Sequence, residues 1–118
     1  MSQSNKGIFP CPSCGFLVFD EPAGSYNICP ICGWEDDHVQ LKYPGMRGGA
    51  NGHSLFEFQK EFLKEIPVDI RIYQGFQRDP DWRPLTEAEG RIDNNQPNNG
   101  ITYFFASAED APRYYWKK

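Results

Sequence analysis

The sequence has no apolar run long enough to cross a membrane. No N-terminal apolar stretch resembles a secretory signal, so a reducing, cytoplasmic compartment is expected. Its one glycine-rich stretch, Pro44 to Gly52, lacks the Gly-Lys-Ser/Thr ending of a phosphate loop, and no convincing strand precedes it. No nucleophile stands beside a base, so the chain is not expected to be an enzyme. Basic residues are in deficit: 12 Lys and Arg face 16 Asp and Glu, for a formal net charge of −4. That deficit makes the chain a poor non-specific binder of nucleic acid phosphates. It suits a basic protein partner better, or simply solubility.

What is present is bulky and heavily punctuated. Nine Phe, six Tyr and three Trp give 15% aromatics, against a mean hydropathy of −0.66. A core of few but large side chains follows. Ten Pro and eleven Gly predict many turns and little regular structure. At 118 residues the chain suits one domain, or a small ribbon packed on a second unit.

All four cysteines fall in two knuckles, Cys11-Pro12-Ser13-Cys14-Gly15 and Cys29-Pro30-Ile31-Cys32-Gly33, separated by the 14 residues 15–28. Two close pairs of thiolates match a tetrahedral four-cysteine zinc site. The spacing lets the intervening chain run out and return as a hairpin. The glycine after each pair allows the left-handed backbone that a tight knuckle needs. Cys11, Cys14, Cys29 and Cys32 are therefore the expected metal ligands. Two disulfides are disfavoured by the expected compartment. A redox pair is disfavoured because neither knuckle leads into a periodic helix, and a catalytic zinc because four thiolates close the coordination shell. Iron in a rubredoxin-like site stays open as the alternative ion, since tetrahedral sulfur suits both metals. Four thiolates (−4) and a dipositive ion (+2) take the net charge from −4 to −6.

Along the rest of the chain, Ile8 and Phe9 begin the ribbon, and Phe16 to Phe19 form a strand apolar on both faces. Trp34 to His38 reads most simply as a solvated acidic turn with Trp34 packed beneath the metal. Glu35, Asp36 and Asp37, with Arg47 in the glycine-rich stretch, are the candidate partner contacts. His38 and His53 read as turn and loop residues. Ser54 and Glu57 form a capping box, and Leu55, Phe58, Phe62 and Ile66 form one apolar stripe of a helix that Pro67 ends near Glu65. Val68 to Tyr73 hints at a strand. Trp82 reads as an anchor, and Thr86 to Glu89 as a one-turn capping box cut off by Gly90. Asn94 to Gly100 reads as a loop, Ile101 to Phe105 as a strand, and Ser107 to Pro112 as a turn. The tail, Arg113 to Lys118, reads as docked on the core. Its aromatics and cations also leave a base-stacking surface open as an alternative.

The architecture expected is small α+β: a zinc-ribbon or rubredoxin-like knuckle hairpin over residues 1–40, packed on an extension, 41–118, with one main helix and a few short strands. The knuckles, together with Trp34-Glu35-Asp36-Asp37, Gly48-Gly49-Ala50-Asn51-Gly52 and Ser54-Leu55, resemble the cysteine-rich CPCC family of small bacterial proteins, from about Pro10 to Phe62. Two positions depart from that pattern. Ser13 stands where the family typically has cysteine, and Gly33 where it often has an aromatic. The resemblance implies a zinc-ribbon-like fold and a bacterial origin, and little about activity. By analogy with other small cysteine-rich bacterial proteins, it admits an immunity role against a secreted toxin. The expected function is thus a non-enzymatic zinc-held module that binds another protein, with a toxin's basic surface as the concrete case. The alternatives are a nucleic-acid-associated zinc ribbon and rubredoxin-like electron transfer.

Overall fold

A computed structural model describes residues 8–91 and 114–117. The order of elements is β1 (Phe9–Pro10), β2 (Leu17–Phe19), α1 (His38–Lys42), α2 (Leu55–Glu65), β3 (Ile72–Tyr73), β4 (Phe76–Gln77) and a closing 3₁₀ turn (Tyr115–Lys117). This is a small α+β arrangement of two helices and two short antiparallel hairpins. Strand β1 pairs with β2, placing Phe9 opposite Phe19 and Pro10 opposite Leu17 across an irregular step. The first knuckle forms the tip of that hairpin. A single bridge between Ile28 and Glu35 flanks the second knuckle in the same way. Phe16 and Phe19 are buried, and Leu17 and Val18 half-buried, so this strand is covered on both faces as its composition predicts.

The core is built around sulfur. Cys11, Cys14 and Cys29 share one buried cluster with Phe16, Phe19, Trp34, Leu41, Leu55, Leu85 and Tyr115. Helix α2 lays its stripe on this cluster: Leu55 is fully buried, and Phe58, Phe62 and Ile66 pack against it partly exposed. The Phe58 ring meets Trp34 edge-on at 5.2 Å between centroids. The helix begins as expected. The Ser54 hydroxyl accepts from the Glu57 N–H at 3.1 Å, and the Ser54 N–H donates back to the Glu57 carboxylate at 3.0 Å. It ends at Glu65, ahead of Pro67.

Three local expectations change. Residues 38–42 form a short helix that the sequence does not announce, because five residues are too few to show a period. The strand expected over Val68 to Tyr73 shrinks to β3, since the 67–70 segment turns, with the Ile70 N–H donating to the Pro67 carbonyl. Strands β3 and β4 then close a two-residue hairpin. Gln74 and Gly75 both take left-handed backbone, φ 52° and 85°, the pairing that matches strand twist. At Thr86 the capping-box bonds form over a single turn. The loop, strand and turn expected at Asn94–Gly100, Ile101–Phe105 and Ser107–Pro112 lie outside the described residues. No helix among the described residues is long and apolar enough to cross a membrane.

Candidate metal centre

Both knuckles have the same local construction. The Cys11 N–H donates to the Phe16 carbonyl and the Gly15 N–H to the Cys11 carbonyl. Likewise the Cys29 N–H donates to the Trp34 carbonyl and the Gly33 N–H to the Cys29 carbonyl. Gly15 and Gly33 sit at φ 82° and 86°, the left-handed step that turns each knuckle back. At Gly15 space matters too, because a Cβ there would lie 2.4 Å from the Trp82 ring.

This construction brings the four sulfurs together, all within 4.8 Å of one another. Cys11 Sγ lies 3.7 Å from Cys32 Sγ, and Cys14 Sγ lies 3.7 Å from Cys29 Sγ. A disulfide needs about 2.05 Å, and all four cysteines are free thiols. A tetrahedron with metal–sulfur bonds of about 2.3 Å has edges of about 3.8 Å, close to the separations observed. Two of the six edges thus match a tetrahedral ion, and the others lie within 4.8 Å, so the donor set is compatible with one. The Ile31 and Cys32 N–H groups donate to Cys29 Sγ at 3.3 and 3.4 Å, which supports a thiolate there. Without a cation, burial pushes the Cys11 and Cys14 thiols well above their usual range. Cys29 is pulled down, chiefly by the Cys11 thiol beside it. A metal ion held here would resolve this conflict by taking all four as thiolates. Three of the four are buried, and Cys32 is half-exposed.

The extension clamps the first knuckle through its carbonyl groups. Trp82 Nε1 donates to the Pro12 carbonyl at 3.0 Å, Gln59 Nε2 reaches the Ser13 carbonyl at 3.2 Å, and Arg78 Nε reaches the Cys14 carbonyl at 2.7 Å. Of these side chains only Trp82 is signalled by the sequence, as a large aromatic in the turn-rich stretch Gln74 to Pro84. Gln59 and Arg78 carry no signal, because a polar residue in a helix or a turn-rich stretch is expected at the surface. Both are buried.

A sequence model of the cysteine-rich CPCC family matches residues 9–68, just over half of the 118. The chain belongs to the cysteine-rich CPCC family. The search of curated proteins finds no match. The CPCC segment spans both knuckles, α1, the glycine-rich stretch and α2, and it ends before Arg78 and Trp82. Ser13, the serine in the first CPCC knuckle, is fully buried, and its hydroxyl has no hydrogen-bond partner. Gly33 is exposed, with nothing within 4 Å of the place a Cβ would take.

The acidic turn is corrected. Asp36 and Asp37 are fully buried, so neither is solvated nor offered to a partner. Asp36 Oδ2 accepts from the Gly24 N–H, the Ser25 N–H and the Ser25 hydroxyl, closing the outer turn of the inter-knuckle hairpin. Asp37 Oδ1 accepts from the Val39 and Gln40 N–H groups and caps α1, while its Oδ2 accepts from the Ala50 N–H. Adjacent carboxylates look solvated in a sequence, but backbone donors have drawn these two inward. Glu35 remains half-buried, its backbone held on both sides by the Asn51 amide.

The glycine-rich stretch packs against this region as a structural connection. Its Ala50 and Asn51 N–H groups go to Asp37 and to Gln40 Oε1. A Cβ on Gly49 would lie 2.6 Å from Asp37 Oδ2. Arg47 is exposed and makes a two-toothed ion pair with Glu57. His38 meets the Tyr26 ring edge-on, and His53 is exposed beside Glu57, so neither joins the cysteine cluster. In the tail Tyr115 is buried, and Tyr114 stacks on Trp116 at 4.5 Å while donating its hydroxyl to the Pro10 carbonyl. Tyr115 is thus spent inside the fold, Tyr114 and Trp116 are half-buried, and Arg113 and Lys118 of the same tail lie outside the described residues.

Proposed function

We propose that the chain is a structural zinc protein, not an enzyme, whose metal-held surface binds another protein. The observation that carries the metal reading is the convergence of four thiols within 4.8 Å of one another, three of them in the buried core. Four protein ligands leave no coordination position for a substrate, which supports a structural over a catalytic role. Zinc is the proposed ion because a closed-shell ion asks only for this geometry. Iron suits the same ligands, and a red protein would replace zinc in the proposal.

The interaction reading is supported by large apolar side chains left in water. Ile28, directly before Cys29, is 64% exposed, and Ile8 and Ile72 are 69% and 63% exposed. A toxin as the partner rests on the chain's acidity, −4 before metal binding, and no longer on Asp36 and Asp37. Native mass spectrometry of the gently purified protein tests both parts. One zinc per chain supports the metal role; iron, or no metal with disulfide masses, overturns it. A co-purified protein that is lost on Ile28→Asp, with zinc retained, supports the interaction role. Retention of that partner by the variant removes the Ile28 surface from the proposal.

A further inference from the structure

Arg78 is the one cation taken wholly into the described interior: the residue is 3% exposed. Among the described residues no carboxylate makes a close ion pair with it, and Asp69 attracts it only through space. Asp79, its buried neighbour in sequence, spends Oδ1 on the Asp81 N–H instead. The guanidinium is surrounded by carbonyl oxygens. Nε donates to Cys14 at 2.7 Å, Nη1 to Pro67 at 2.6 Å and Ile70 at 2.9 Å, and Nη2 to Ile66 at 3.3 Å. Two rings face it, Phe16 with its centroid 4.5 Å away and Trp82 at 5.0 Å. Carbonyl dipoles and aromatic faces solvate a cation in part. They do not neutralise it, and a buried unneutralised charge is costly.

The metal centre has the opposite deficit. Four thiolates around a dipositive ion leave a net charge of −2 in the same core, on ligands that include Cys14. We infer that Arg78 is the counter-charge of the four-thiolate centre, a positioning residue that stabilises the loaded site through the Cys14 end of the first knuckle. Two buried charges that would each be costly alone then offset one another. The inference rests on the metal reading above. It adds a residue beyond residues 9–68, the matched segment, so the extension contributes to the electrostatics of the site as well as to its packing.

The test uses the full chain loaded with zinc, and the same chain loaded with iron as a redox probe, as wild type, Arg78→Lys and Arg78→Gln. Lysine keeps the charge and loses the forked hydrogen bonds; glutamine loses the charge. A counter-charge predicts that Arg78→Gln gives up zinc to a chelator at least tenfold faster and moves the iron potential to lower values. Arg78→Lys should stay close to wild type in potential. A purely structural role predicts that the two variants behave alike, and that outcome overturns the inference. Should Arg78→Gln not fold, the lysine variant decides: a potential near wild type supports the inference and a lowered one overturns it. A wild type that binds no metal overturns the metal reading and this inference together. A wild type that binds metal, with all three proteins equal in potential and zinc loss, overturns the inference alone.

Discussion

Asp37 holds three backbone N–H groups at once, two at the start of α1 and one, Ala50, across the gap to the glycine-rich stretch. A cap residue replaced by alanine costs about 1 kcal/mol, and a buried donor left without a partner adds about 1–3 kcal/mol. Asp37→Ala is expected to lower stability by about 2–4 kcal/mol, read from urea unfolding of the metal-loaded protein. A loss of under about 1 kcal/mol would show that the Ala50 bond contributes nothing beyond the cap. Gln40 fills a similar place, its amide donating to the Met46 and His53 carbonyls at 2.9 and 3.0 Å. Here buried polar side chains supply the order that regular secondary structure supplies elsewhere.

At the scale of elements, the start of α2 is where pH should act. The Arg47 guanidinium, followed by the Ser54 N–H, pulls the Glu57 carboxyl from 4.5 down to about 2. A depressed carboxylate contributes stability that is fully present above its unfolded value and is lost as pH falls through the folded one. The capping box is therefore expected to persist at pH 4 and to fail towards pH 2, with a modest effect because the Arg47–Glu57 pair is largely exposed. Carbon-detected titration of the Glu57 carboxyl checks this, and Arg47→Gln should move its midpoint upward. A midpoint unchanged by that substitution would assign the shift to Ser54. This helix was legible in advance because a capping box, a four-residue apolar stripe and a terminating proline all agree over one stretch. Helix α1 was not, since its capping aspartate sits in a run that resembles a solvated turn. The β3–β4 hairpin was hidden by Gln74, a residue rarely found in left-handed backbone. The convergence of the four cysteines was legible from spacing alone, because hairpin return is a local property. The clamp on the first knuckle was not. Its donors lie 46 to 70 residues away along the chain, where only the folded arrangement connects them.

For the whole molecule, the metal should decide whether there is a fold at all. Structural zinc in small domains contributes about 10–16 kcal/mol, comparable to or above the total stability of an ordinary domain. Stripping the ion with a strong chelator is expected to abolish cooperative thermal unfolding and the near-ultraviolet signal of the buried Trp34 and Trp82. Retention of both signals would show that the aromatic core stands by itself. The two halves of the centre are also unequally held. The first knuckle has carbonyls gripped by three side chains, whereas the second leaves Gly33 in open space and Cys32 half-exposed. A bound ion is therefore expected to leave from one side. Cys11, Cys14 and Cys29 would form the standing berth and Cys32 its door, so that Pro30→Gly, which loosens the second tip, is expected to speed zinc loss to a chelator more than Pro12→Gly does.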